Sequence, residues 1–232
     1  MEFTLLWGAL AGVGGLYLAL RWMARKDTTL CVGDLWDIAL GAGLAGLAVG
    51  RLAAMIRQGV NPLAHAGDVI LIRAGVDTVA ASAAALGTAA WLGRRNLREQ
   101  LDGMAPAVLV GLAGWHLGCL LRESCLGTAS SLPWTWAQSG SEITRHPVEL
   151  YTAVILIIGG HFLFRLRLRY PAPGTIAGAG LAVAGLSRLA TEPMRVSLFG
   201  GPVGWYLVAL IGGATAAIWA ATRPRPEPAE EG

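Results

Sequence analysis

The chain has 232 residues, 54% of them hydrophobic and only 14% charged, with a formal net charge of +3. A soluble domain carries about a quarter charged residues, so there is too little charge here to cover a water-facing surface, and a membrane-embedded chain is expected. The basic surplus is nearly all arginine, with Lys26 the only lysine, and it sits between apolar runs, which points to membrane topology and anionic headgroups and away from nucleic acid.

Seven apolar segments follow in chain order, at roughly 3–23, 34–56, 69–92, 102–121, 148–164, 174–190 and 203–221. Each is near the roughly 20 residues a bilayer core requires, and in lipid a helix is the form that satisfies its own backbone. The first has no basic residue ahead of it and Arg21, Arg25 and Lys26 behind it, the reverse of a cleavable signal, so it reads as a helix inserted with its N-terminus outside. Asp77, Thr78, Ser82 and Thr88 interrupt the third segment, and the sixth is short and glycine-rich. Pairs of small residues at helical spacing, Gly8 and Gly12, Gly46 and Gly50, Gly174 and Gly178, suit close helix approach.

The regions after segments one, three, five and seven hold Arg21, Arg25, Lys26, Arg94, Arg95, Arg98, Arg165, Arg167, Arg169, Arg223 and Arg225, which is 11 of the 18 basic residues. The positive-inside rule makes those ends cytoplasmic. The expected fold is an all-α, multi-pass membrane protein: one domain over 1–222, a bundle of seven transmembrane helices with the N-terminus outside and the C-terminus cytoplasmic. An outer-side loop, 122–146, carries Pro133, Trp134 and Trp136, which suit the membrane interface. The tail, 223–232, is rich in proline and charge and is expected to be disordered. Cys31, Cys119 and Cys125 show no metal-ligand spacing, so neither a metal nor a disulfide framework is expected, although Cys119 and Cys125 can meet in an oxidising compartment.

The remaining basic residues, Arg51, Arg57, Arg73, Arg122, Arg145, Arg188 and Arg195, fall on the outer side or in the outer half of a span and oppose the topology signal. Arg57 and Arg73 can snorkel to the interface; Arg51 and Arg188 lie inside apolar runs, where an arginine is costly unless it meets a partner, a cavity or an anion. Four constellations contain these residues. TRHPVELYTAV places Arg145 and His146 just before a helix that Pro147 would open, and a helix N-terminus is a natural phosphate site. GLSRLATEPMRVS spaces Arg188, Glu192 and Arg195 for pairing on one helix face, with Pro193 ending the helix. GWHLGCLLRESCLG puts His116, Arg122 and Glu123 near the outer end of the fourth helix, and VGRLAAM sets Arg51 after Gly50. Each also has a purely structural reading: a helix start, an ion network, a packed histidine, a tight helix contact.

Taken in order, these pieces resemble the bacterial prolipoprotein diacylglyceryl transferases. RHPVELY is similar to that family's RHPSQLYE-type motif, keeping Arg145, His146, Pro147, Leu150 and Tyr151, with Glu149 where glutamine is usual and Thr152 where glutamate is usual. SRLATEPMR resembles the FRxxxExFR-type segment through Arg188, Glu192 and Arg195, and VGRLAAM resembles the GGR segment through Gly50 and Arg51. Two departures stand out: His116 replaces the arginine of the GRxG segment, and the HGG motif of the third helix is missing, His65 lying in the preceding loop and the helix offering Asp77 and Ser82.

The resemblance implies transfer of a diacylglyceryl group from phosphatidylglycerol to the lipobox cysteine thiol of a prelipoprotein signal peptide, with glycerol-1-phosphate leaving and no cofactor. Such chemistry asks for a cationic pocket for the phosphate and a base for a thiol whose unperturbed pKa is about 8.5. Arg145, Arg188 and Arg195, with Arg51, His146 and Tyr151, are the expected substrate-binding set, and Glu192 is expected to orient the arginines. His116 or Asp77 is the expected base; alternatively the arginines lower the thiol pKa directly. Two other readings are a catalytically inactive relative that binds anionic phospholipid or a signal peptide, or serves in a membrane complex, and a transporter-like bundle, which would need a polar stripe open to both sides.

Overall fold

The computed structural model describes residues 3–62, 75–120, 125–138, 140–169, 172–196 and 201–223. Arg73, Arg122, Glu123, His65, the start of the third apolar run and nearly all of the tail lie outside the described residues. Among the described residues the chain is helical apart from one small hairpin. Its α-helices are α1 (Phe3–Ala24), α2 (Val32–Arg57), α3 (Thr78–Leu92), α4 (Leu97–Cys119), α5 (Val148–Arg167), α6 (Thr175–Thr191) and α7 (Val203–Thr222). Of these, α2, α5 and α7 are long and apolar enough to cross a membrane, and α3 is a shorter apolar helix. On α7, Trp205, Val208, Ile211, Ile218 and Trp219 are all exposed, while Gly213 is its buried residue. An outward face this apolar suits lipid and not water.

The chain forms two compact units, Cys31–Gln100 and the remainder. In the first, α2 and α3 meet at Gly46 and Gly50: a Cβ on either glycine would press on Ala81. Asp77 caps α3, its carboxylate accepting from the Ala80 N–H at 2.8 Å, and its own N–H donates to the Gly50 carbonyl at 2.9 Å.

In the larger unit, α1 and α4 approach backbone to backbone. A Cβ on Gly114 would collide with the Ala11 carbonyl, and one on Gly118 with the Gly8 backbone. The expected pair Gly8 and Gly12 is thus one side of a two-sided glycine seam. Gly178, Gly185 and Gly213 make a second seam between α6 and α7. Gly174, expected to pack beside Gly178, instead precedes α6 with φ +97°, a conformation only glycine adopts readily. The core lies between α4, α5 and α6, built on Leu109, Ala113, Ala153, Leu156, Leu163 and Ile176. Asp102, only 4% exposed, fastens α4 to α6 by accepting from the N–H groups of Gly174 and Ala177, both at 2.7 Å. In the loop after α1, Asp27 accepts from the Thr29 N–H and hydroxyl and from Arg167 Nε, which ties that loop to the end of α5.

Within the loop expected over 122–146, the described residues contain a small hairpin. Strands β1 (Trp136–Ala137) and β2 (Thr144–Arg145) pair antiparallel, with Trp136 opposite Arg145, and Ala129 bridges to Arg145. No disulfide framework was expected, yet Cys119 and Cys125 are bonded, their Cα atoms 6.0 Å apart. The bridge joins the end of α4 to the segment that feeds this hairpin.

Candidate functional site

The site is assembled where α4, the 125–128 segment, α5 and the end of α6 converge. Gly127 and Thr128 lace it together: the Gly127 N–H donates to the His146 carbonyl at 2.8 Å, the Thr128 N–H to the Met194 carbonyl at 2.8 Å, and the His146 N–H to the Thr128 carbonyl at 3.0 Å. A Cβ on Gly127 would run into the Met194 carbonyl and Val148, so the segment packs where a side chain could not. These bonds bring the chain before α5 and the chain after α6 side by side, each carrying an expected arginine.

Proline sets both helix ends. α5 begins at Val148 with Pro147 as its cap residue, one position later than the motif suggested. α6 ends at Thr191, and a 3₁₀ turn, Glu192–Met194, follows with Pro193 in its first turn, as expected of a residue without an N–H. Buried hydroxyls lock the two elements: Thr152 Oγ1 donates to Thr191 Oγ1 at 3.1 Å, both side chains being 2% exposed or less.

Glu149, in the first turn of α5 and only 4% exposed, is the centre of the site. Its Oε2 contacts His116 Nδ1, its Oε1 accepts from Arg195 Nη2, and Arg188 Nη1 stands 4.0 Å from Oε2. Arg188 also lies over the Tyr206 ring at 5.4 Å and donates to its hydroxyl at 3.2 Å. Two guanidiniums therefore share one carboxylate, and their spare capacity is visible. Arg188 Nη1 and Arg195 Nε are buried without a hydrogen-bond partner, as is Glu192 Oε2. Buried donors rarely stay unpaired, so this corner suits an acceptor-rich anion.

The sequence assigned the orienting carboxylate to Glu192, and here the expectation is corrected. The side chains of Arg188 and Arg195 are held by Glu149, whereas the Glu192 carboxylate lies against the Gly201 backbone; Glu192 meets Arg195 through its carbonyl, which accepts the Arg195 N–H at 3.0 Å. In the sequence Glu149 is only a departure from a motif, because its partners sit 33 and 46 positions away.

The other expected residues fall as follows. Arg145, in β2, donates from Nη1 to the Gly127 carbonyl at 3.2 Å, beside the Glu149 cluster and not within its ion pairs. His146 Nδ1 is 3.3 Å from the Tyr151 hydroxyl, which also accepts from Trp134 Nε1 at 2.9 Å, forming an aromatic group at the hairpin. Arg51 and Asp77 belong to the smaller unit. Arg51 is 2% exposed and donates to the Gly75 carbonyl at 2.8 Å; the Asp77 carboxylate caps α3 and pairs with Arg57 at 2.5 Å. Among the described residues, no group of three or more His, Cys, Asp or Glu side chains is placed to hold a metal.

Apolar helices surround a buried carboxylate, an imidazole and two guanidiniums with unpartnered N–H groups, an arrangement that can accept an anion in a protein whose helices suit a membrane. Residues 6–223 match the model of the prolipoprotein diacylglyceryl transferase family, and the chain belongs to that family. It is similar to the phosphatidylglycerol–prolipoprotein diacylglyceryl transferase of Pseudomonas fluorescens (strain SBW25), 26% identical over 240 residues that cover 94% of this chain and 88% of the relative. The protein of the same name from Pseudomonas putida (strain W619) is 26% identical over 201 residues, 81% of this chain and 74% of the relative. That of Pseudomonas aeruginosa (strain LESB58) is 25% identical over 196 residues, 81% and 73%.

Proposed function

We propose that this chain transfers a diacylglyceryl group from phosphatidylglycerol to the lipobox cysteine thiol of a prelipoprotein, releasing glycerol-1-phosphate. The observation that carries the reading is the pairing of Arg188 and Arg195 on Glu149 beside His116, with an unpartnered N–H on each guanidinium. Arg188 and Arg195 hold the phosphate and stabilise the charge that develops on the leaving oxygen; Arg145, with His146 and Tyr151, lines the approach. Of the two expected bases, Asp77 is engaged by Arg57 and the Ala80 N–H, so the proton falls to His116.

The setting we propose is a seven-span bundle in a bacterial inner membrane, N-terminus outside and C-terminus cytoplasmic, with this site on the outer face. The Cys119–Cys125 bond supports that orientation, because disulfides persist in oxidising compartments and this one lies just past His116. The basic clusters at the opposite helix ends support it independently. A non-catalytic relative that binds anionic lipid or a signal peptide is the second reading, favoured by the absent HGG motif.

Complementation of a transferase-depleted bacterium, with mass spectrometry of a lipoprotein's N-terminal cysteine, separates the two. The transferase reading expects a diacylglyceryl mass on that cysteine, lost when Arg188→Leu is supplied. An unmodified cysteine with well-inserted wild-type protein overturns it in favour of the binding reading.

A further inference from the structure

We propose that Glu149 is a positioning residue that fixes His116 as the base of this site, an inference that rests on the transferase reading above. Arg195 carries donors only, so Glu149 Oε1 accepts from it, and the two guanidiniums facing the carboxylate favour its ionised form, an acceptor toward both partners. His116 therefore presents a protonated Nδ1 to Glu149 Oε2 and leaves the Nε2 lone pair free on the other edge of the ring. A histidine held in one tautomer by a carboxylate is the arrangement that general-base chemistry requires.

The two residues also explain each other. By resemblance, His116 stands where the family has arginine, and Glu149 where it has glutamine. Taken singly, each is a lost functional residue. In space they are partners, and the two departures together set an imidazole beside a carboxylate. The exchange puts a base next to the phosphate-facing arginines in a chain that lacks the HGG histidine.

The thiol proton passes to His116 Nε2 while the sulfur bonds to the glyceryl carbon that carries the phosphate. The carbon–oxygen bond breaks and its electron pair stays on the phosphate oxygen of glycerol-1-phosphate. The Nε2 proton then passes to that phosphate or to water. The charged groups facing His116 are Glu149 from α5, Arg188 from α6 and Arg195 after the 3₁₀ turn. Glu149 opposes the positive charge that forms on the ring, and the bound phosphate occupies the arginines.

The test uses the full-length protein with phosphatidylglycerol in mixed micelles and a lipobox peptide. Glu149→Gln is expected to lower kcat about a hundredfold while the KM for lipid changes less than threefold; Glu149→Asp, which keeps the charge, is expected to stay within tenfold of wild type and guards against a folding defect. His116→Ala combined with Glu149→Gln is expected to be no slower than His116→Ala alone, because the second change acts through the first. Nitrogen NMR of His116 is expected to find the proton on Nδ1. A Glu149→Gln kcat within threefold of wild type, multiplying losses in the double variant, or a proton on Nε2 each overturn the assignment while leaving the transferase reading in place. A wild-type protein that forms no thioether overturns the transferase reading itself, and with it the role of Glu149.

Discussion

Asp102 joins two helices by a single carboxylate. α6 begins after Gly174, which has no side chain to cap the helix, so its first N–H groups depend on Asp102 from α4. Asp102→Ala leaves the N–H groups of Gly174 and Ala177 unpaired in a site where the aspartate was 4% exposed. An unpaired buried donor costs about 1–3 kcal/mol, and loss of an N-cap about 0.5–2 kcal/mol, so about 3 kcal/mol is expected for the pair. For a chain of this size each kcal/mol moves Tm by about 2–4 °C, giving a fall of about 6–12 °C. Asp102→Asn keeps one acceptor and loses the charge that favours a helix N-terminus; about half that fall is expected. Thermal unfolding in detergent, followed by tryptophan fluorescence, reads both variants. A fall under 2 °C for Asp102→Ala, or equal falls for the two variants, would refute the cross-helix cap.

Three further outcomes are expected. Gly114→Ala drives a methyl group into the Ala11 carbonyl and should cost about 1–3 kcal/mol, whereas Gly14→Ala, whose Cβ meets nothing within 4 Å, should stabilise the protein by up to about 1 kcal/mol; paired melting curves test the opposite signs. Cys119→Ser opens a disulfide between positions six apart and should lower stability by about 2 kcal/mol, and alkylation with mass spectrometry of the untreated wild type should label Cys31 alone. Burial raises the Asp27 pKa, but the Thr29 bonds and Arg167 outweigh it and hold the group below its ordinary value. A depressed carboxylate contributes its stability above its unfolded pKa, so Asp27→Asn should be less stable than wild type above about pH 4, and the gap should close as the pH falls further; melting curves from pH 7 to 3 check this.

The apolar segments were legible as helices, three of them long and apolar enough to cross a membrane, although the third is helical only over Thr78–Leu92 among the described residues; Pro147 and Pro193 mark ends to within a residue or two of what proline's missing N–H dictates. The glycine pairs were legible as spacing but not as partners. Gly8 and Gly12 announce a close contact without saying that Gly114 and Gly118 answer it, and Gly174 looks like a packing glycine until its φ is known. Asp102 gave no local sign at all, since the N–H groups it accepts from lie 72 and 75 positions onward. The disulfide was open for a similar reason: two cysteines six apart can meet only if the chain between them turns back, which composition does not reveal.

The candidate site divides along the same line. Arg188 and Glu192 have the spacing of a helical ion pair, and local geometry would favour their union by only a few tenths of a kcal/mol. A buried carboxylate from another helix, already in contact with His116, competes easily with so small a term, and Glu149 takes the arginines while Glu192 turns to Gly201. The result sets the charge of the site. Arg188 and Arg195 against Glu149 leave one positive charge, which matches the single negative charge of a phosphodiester. A second arginine-facing carboxylate would cancel that remaining charge, so the turn of Glu192 toward Gly201 leaves the proposed headgroup site its net positive charge.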